Sequence, residues 1–292
     1  MMEREEMMEA TGCGAERTPE STSKPFAVNT SGALTESASA GSETSHTGYA
    51  IEFTDVSLRY PGTREDALHK VSFRLPCDTI CGLFGRNGAG KTSIMALLAG
   101  LRQPSAGTVR VFGQDPFENT SIVPHVSYIY LKNAPDDLMN AYKARRYLQM
   151  GALFRPQWDG DYARFLLKRF DIPEKKTASK MSQGQRAALR CVIGLASRAP
   201  LSIFDEAYLG MDAVYRHLFI DELLADYLRF PRTILFSTHY ISEMERLFSE
   251  VLIIDDGRVL LHDEADTLRK EGQSLADLFI SLTLKEGESY DA

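Results

Sequence analysis

Apolar residues in this chain come in short bursts with two different periods, and almost no large ones fall in the first 48 positions. Ile51, Phe53, Val56 and Leu58 nearly alternate and Val71, Phe73 and Leu75 alternate cleanly, which predicts two half-buried strands with a turn at Pro61-Gly62 between them. The run Ile80 to Phe84 is apolar apart from Gly82, as expected of a strand covered on both faces. Ile94, Leu97, Leu98 and Leu101 then fall at i, i+3, i+4 and i+7, one face of a helix that should end near Gly100. From about 120 to 190 the pattern is mostly helical, with a strand at Val126 to Tyr130. Strand-like runs return at Leu201 to Phe204, Ile234 to Phe236 and Val251 to Ile254, and the last continues through Asp256-Gly257 into Val259 to Leu261 as a hairpin. Tyr215 to Leu228 reads as a helix. Strands alternating with helices predict an α/β fold with a mainly parallel central sheet and a helical insertion, and ligands at the carboxyl ends of the strands.

Composition narrows the partners. Residues 1–48, rich in Ser, Thr, Glu, Gly and Ala, are expected to be a disordered tail, because they bury too little surface to offset the entropy of ordering. No apolar run approaches the roughly 20 residues that span a bilayer. The N-terminal Glu3, Glu5 and Glu6 do not fit a secretory leader, so a cytosolic location is expected. A net charge of -7 argues against an extended nucleic-acid surface. Cys77 and Cys81 lack a second Cys or His pair nearby and read as reduced structural thiols, not zinc ligands.

Two segments carry recognisable chemistry. Gly85-Arg86-Asn87-Gly88-Ala89-Gly90-Lys91-Thr92, followed by Ser93, fits the phosphate-binding P-loop and lies between a buried strand and a helix. Its N–H groups would converge on phosphate oxygens, Lys91 would neutralise the β- and γ-phosphates, and the Thr92 hydroxyl would ligate Mg2+. Leu201 to Glu206 is an apolar strand ending in two carboxylates, the Walker B arrangement: Asp205 would hold Mg2+ and Glu206 would orient and polarise the attacking water.

Between them stands Met181-Ser182-Gln183-Gly184-Gln185-Arg186. With the P-loop it resembles the signature of the ATP-binding cassette (ABC) ATPases, usually Leu-Ser-Gly-Gly-Gln, with Met at the first position and Gln at the third. The resemblance runs from about residue 50 to 270. It implies a P-loop NTPase fold with an N-terminal antiparallel β subdomain, a nucleotide-binding domain over 49–270 with a helical subdomain at about 120–190, and a C-terminal extension over 271–292. It implies that Tyr60 stacks on adenine, and that Ser182, Gly184 and Gln185 meet the γ-phosphate of ATP held by a second cassette. It further implies that Asp212, in Leu209-Gly210-Met211-Asp212, crosses the dimer interface and that His239, in Ser237-Thr238-His239, contacts the γ-phosphate. Two positions depart from the family: Ala207 replaces the usual Pro after the paired carboxylates, and Leu131, Lys132 and Asn133 stand where a Mg2+-contacting glutamine belongs.

The function implied is an ATP-binding and hydrolysing transporter subunit, using ATP and Mg2+. It would work as a homo- or heterodimer on the cytoplasmic face of the membrane, powering a separate integral membrane permease, as in bacterial exporters. The alternatives are a soluble ABC ATPase acting on ribosomes or nucleic acid, and a weakly hydrolysing half of an asymmetric pair.

Overall fold

A computed structural model describes residues 48–130, 141–270 and 274–284. The tail reading and the Leu131–Asn133 departure therefore lie outside the described residues, the tail reading but for Gly48. The chain begins with an antiparallel pair, β1 (Tyr49–Arg59) and β2 (Asp66–Pro76), to which β4 (Ala106–Val111) adds on the other side of β1. The imperfect alternation of β1 has a local cause: Asp55 takes a φ of 49° and the register slips between Phe53 and Val56, so both remain buried.

The second sheet has the order β5-β6-β7-β3-β8-β9. Its members are β3 (Ile80–Phe84), β5 (Val126–Tyr130), β6 (Leu201–Asp205), β7 (Thr233–Ser237), β8 (Glu250–Asp255) and β9 (Arg258–Glu264). All neighbours are parallel except the β8–β9 hairpin. Every residue of β3, β6 and β7 is buried, which is why these strands read as continuous apolar runs and not as alternating ones.

The two faces of this sheet support separate cores. One packs β1, β2 and α1 (Lys91–Leu98) through Leu83, Ile94, Leu97, Leu98 and Leu252. The other packs α2 (Ala144–Phe154), α3 (Gly160–Arg169), α4 (Gln183–Ala196) and α5 (Ala213–Arg229) around Phe204, Phe219 and Phe236. The three rings lie 5.3–6.0 Å apart, and aromatic pairs at such spacing add about 0.5–1.5 kcal/mol to area burial.

Helix ends follow the side chains available to cap them. Asp159 accepts from Tyr162 N at the start of α3, and Ser182 with Gln185 forms a reciprocal capping box on α4. Leu101 corrects the sequence reading. α1 stops at Leu98, Gly100 turns the chain at φ 68°, and Leu101 is left 60% exposed instead of on the buried face. β4 had no clear signal, because only Val109 and Val111 of its six residues are buried.

Three further α-helices among the described residues are α6 (Ile241–Met244), α7 (Ala265–Lys270) and α8 (Leu275–Thr283). Beyond position 270, α8 packs back on the helical core: Leu275 is buried and Phe279 meets Phe84 edge-on at 6.4 Å.

Candidate functional site

The loop 85–90 leaves the carboxyl end of β3 and feeds α1, so the unpaired N–H groups at the helix start face the crevice above the sheet. Gly90 is the N-cap at φ 106°, and a Cβ there would come within 2.8 Å of Leu68 Cδ2 and 3.0 Å of Ala67 O. Only glycine meets both demands. The loop is tied down by Gly257 N donating to Ala89 O at 3.1 Å, so the β8–β9 turn supports it from behind.

Lys91 curls back into this loop, donating from Nζ to Gly85 O at 2.6 Å and Arg86 O at 3.1 Å. Burial pulls its pKa below the ordinary lysine range, and the Glu206 and Asp205 carboxylates oppose that shift. Arg86, Asn87 and Gly88 are exposed on the rim, and Ser93 is buried one turn in.

Asp205, the last residue of β6, gathers donors from three elements. Thr92 Oγ1 of α1 donates to Oδ2 at 3.2 Å, Tyr128 OH of β5 donates to the same oxygen at 3.1 Å, and Ser237 Oγ of β7 donates to Oδ1 at 3.1 Å. Burial first, and the Asp205 charge second, push the Tyr128 phenol far above its usual pKa, so it stays a donor. Glu206 follows with φ 50°, a left-handed conformation that costs a non-glycine residue about 1–2 kcal/mol. Its carboxylate Oε1 lies 2.6 Å from His239 Nε2. The strained turn aims Glu206 out of the strand line towards the loop after β7.

Tyr60, at the end of β1, bonds its hydroxyl to Ser93 Oγ at 3.1 Å, and the Arg102 guanidinium lies 5.3 Å from its ring centroid. Lys91, Thr92, Ser93, Tyr60, Asp205, Glu206 and His239 therefore come together at one crevice.

Ser182, Gly184, Gln185 and Asp212 do not join that crevice. They form a second cluster, with no hydrogen bond to the first among the described residues. Ser182 and Asp212 cap two neighbouring helices, α4 and α5, accepting from Gln185 N at 3.1 Å and Tyr215 N at 2.9 Å. The Gln183 side chain lies flat over Gly210, where an added Cβ would sit 2.7 Å from Cγ and Nε2. Gln185 is held by Asp171 O and Lys176 Nζ, both at 3.0 Å. The clusters are joined covalently through residues 206–212, whose turn includes Leu209 N donating to Glu206 O at 2.9 Å.

Sequence reasoning missed Tyr128 and the Ser237 contact with Asp205. Tyr128 is 77 positions from Asp205, and only the β5–β6 pairing, with Tyr130 opposite Asp205, brings it near.

Comparison with known proteins agrees with this geometry. The family model described as ABC transporter matches residues 68–209. The ABC transporter ATP-binding protein YtrB of Bacillus subtilis is 26% identical over 239 residues, covering 81% of this chain and 80% of that protein. The Nod factor export ATP-binding protein I of Paraburkholderia xenovorans is 30% identical over 218 residues, 72% of this chain and 69% of that one. Among solved structures, an ATP-binding subunit of an ABC transporter superposes with a TM-score of 0.70 at 25% identity, over 80% of this chain and all of that one. A dimeric ATP-binding cassette bound to ADP and Pi, at 15% identity and TM-score 0.64, shares the fold. The chain belongs to the ABC transporter family, as one of its ATP-binding, ATP-hydrolysing subunits.

Proposed function

We propose that this subunit hydrolyses ATP with Mg2+ at a site completed by a second cassette, and that the cycle drives export through a separate membrane permease. The observation that carries the reading is the division of the site residues into two clusters. Lys91, Thr92, Asp205, Glu206 and His239 converge on one crevice, while Ser182, Gly184 and Asp212 present two helix N-termini elsewhere on the same chain. Helix N-termini attract anions. A pair of subunits facing one another would place the second cluster of each over the phosphates of the other.

The Thr92 hydroxyl and Asp205 carboxylate are hard oxygen donors, the set that suits Mg2+. Thr92 and Asp205 would hold the cation, which would supply positive charge to the phosphates. Lys91 exchanges its loop carbonyls for phosphate oxygens, and Tyr60 offers its ring to adenine. Glu206 takes the proton of the attacking water, and His239, already 2.6 Å from it, orients that carboxylate and the γ-phosphate.

An apolar rim supports a membrane partner. Leu101, Leu153 and Phe154 are 60%, 75% and 62% exposed, and Val123 lies between their segments, adjoining Gly100 and accepting from Arg155 through its carbonyl. Exposed apolar clusters of this kind mark protein contacts. The described helices include none long and apolar enough to cross a membrane; in this reading the pathway belongs to another chain, with this subunit at its cytoplasmic face. Export rests on relatives named for Nod factor export and for lipid A-core flipping. The packing of α8 supports extending the catalytic domain from 270 to 284.

The test is affinity purification of the tagged full chain from detergent-solubilised membranes, with and without Glu206→Gln. A co-purifying polytopic membrane protein, lost on Leu153→Glu with Phe154→Glu, is the expected result. Recovery solely with ribosomes or nucleic acid would overturn it.

A further inference from the structure

Tyr128 has a hydroxyl where a phenylalanine would fill the same space. Its ring stacks on Tyr130 with centroids 5.1 Å apart and planes at 27°, contacts that need no oxygen. Among the described residues the hydroxyl's one partner is Asp205 Oδ2, at 3.1 Å. That oxygen also accepts from Thr92, and the other carboxylate oxygen accepts from Ser237. An aspartate terminus rotates over a broad, two-fold torsional well. Donors from β5 and β7 on opposite oxygens remove that freedom, and each donor stands on a strand that pairs along its whole length with β6, the strand ending in Asp205.

We propose that Tyr128 is a positioning residue for the divalent cation: with Ser237 it fixes the Asp205 carboxylate so that the cation meets it already oriented. This rests on the reading of Thr92 and Asp205 as the cation's protein ligands. Thr92 spends its hydrogen bond on Asp205 and gives it up to face the cation, whereas Tyr128 and Ser237 have no such second duty. Outer donors of this kind hold a ligating carboxylate in place, and losing one typically costs about 10–100-fold in metal affinity.

The experiment titrates Mn2+ into the full-length protein saturated with a non-hydrolysable ATP analogue, following free Mn2+ by electron paramagnetic resonance. Tyr128→Phe keeps the ring stack and removes the donor. The expected result is a Mn2+ dissociation constant raised about tenfold or more, with the analogue's affinity in EDTA and the melting temperature unchanged. A Mn2+ constant within about twofold of the parent protein would overturn the proposal, since it falls below the loss of an orienting donor. So would an equal loss of analogue affinity with and without metal, which would mark general loosening of the pocket. A parent complex that binds Mn2+ no more tightly than the free analogue would overturn the cation-site reading itself.

Discussion

Asp226, in the last turns of α5, should be one of the least replaceable side chains in the protein. It is 2% exposed and forms ion pairs with Arg198, 11% exposed, and with Arg232, 4% exposed, the latter at 2.9 Å. Arg198 reaches further, to Asp159 Oδ2 at 3.1 Å, and its guanidinium lies 4.5 Å from the Tyr162 ring centroid and 3.9 Å from that of Phe230. Burial also pulls the Arg232 pKa down, so the cation depends on its carboxylate partner. Asp226→Ala would leave Arg232 buried without its anion and Arg198 with Asp159 alone. Breaking a buried pair on one side costs about 3–5 kcal/mol. At about 2–4 °C per kcal/mol for a domain of this size, the melting temperature should fall by about 6–20 °C. Removing both charges, as Asp226→Leu with Arg232→Met, should recover most of the loss, because a packed apolar pair replaces the buried ions. Scanning calorimetry of the three proteins decides the matter. The network sits at the amino ends of β6 and β7, opposite the P-loop, so ATP affinity at a temperature where all are folded should not change. An Asp226→Ala protein melting within about 2 °C of the parent would refute the reasoning, since that falls below the cost of one unpaired buried cation.

Other perturbations separate the parts of the site. Glu206→Gln should keep nucleotide binding while single-turnover hydrolysis falls by about 100-fold or more, the usual contribution of a general base; full turnover would remove Glu206 from that role. Gly90→Ala should weaken ATP binding about tenfold in a fluorescence titration, because a left-handed non-glycine residue costs about 1–2 kcal/mol and its Cβ would press on Leu68; parent-like affinity would show that the loop relaxes freely. At the β8–β9 hairpin, burial lowers the His262 pKa from 6.5, while burial first, then Glu264 and Asp263, raise that of Glu250 from 4.5. Just below pH 6.5 the unfolded chain binds more protons at His262 and stability rises with pH; just above pH 4.5 the folded chain keeps a proton on Glu250 and stability falls with pH. His262 Nε2 lies 3.4 Å from Glu250 Oε2, so the comparison is with the parent: the urea midpoint of His262→Gln should rise less with pH just below 6.5 and that of Glu250→Gln should fall less just above 4.5, and profiles parallel to the parent's would contradict both assignments.

The features legible in the sequence were those set by neighbours in the chain. A P-loop between a strand and a helix and an apolar strand ending in Asp205-Glu206 each lie within a few residues, and each stands where its pattern placed it. Leu101 failed because periodicity does not register where a helix ends; Gly100 breaks the count one step earlier. Tyr128 and the Arg198–Asp226–Arg232 network were invisible for another reason. Their partners come from separate strands and helices, and a lone Tyr or Arg carries no local mark of the carboxylate it will meet.

The contact between Gln183 and Gly210 constrains how this chain can evolve. Gly210 holds φ 93° beneath the Gln183 amide, so any side chain there meets both a disfavoured backbone and an occupied space. Shortening position 183 first clears that space, whereas enlarging 210 first collides with it. The glutamine amide can also swing aside, whereas the φ at 210 stays, so the backbone is the lasting constraint: drift at 183 alone leaves position 210 bound to glycine.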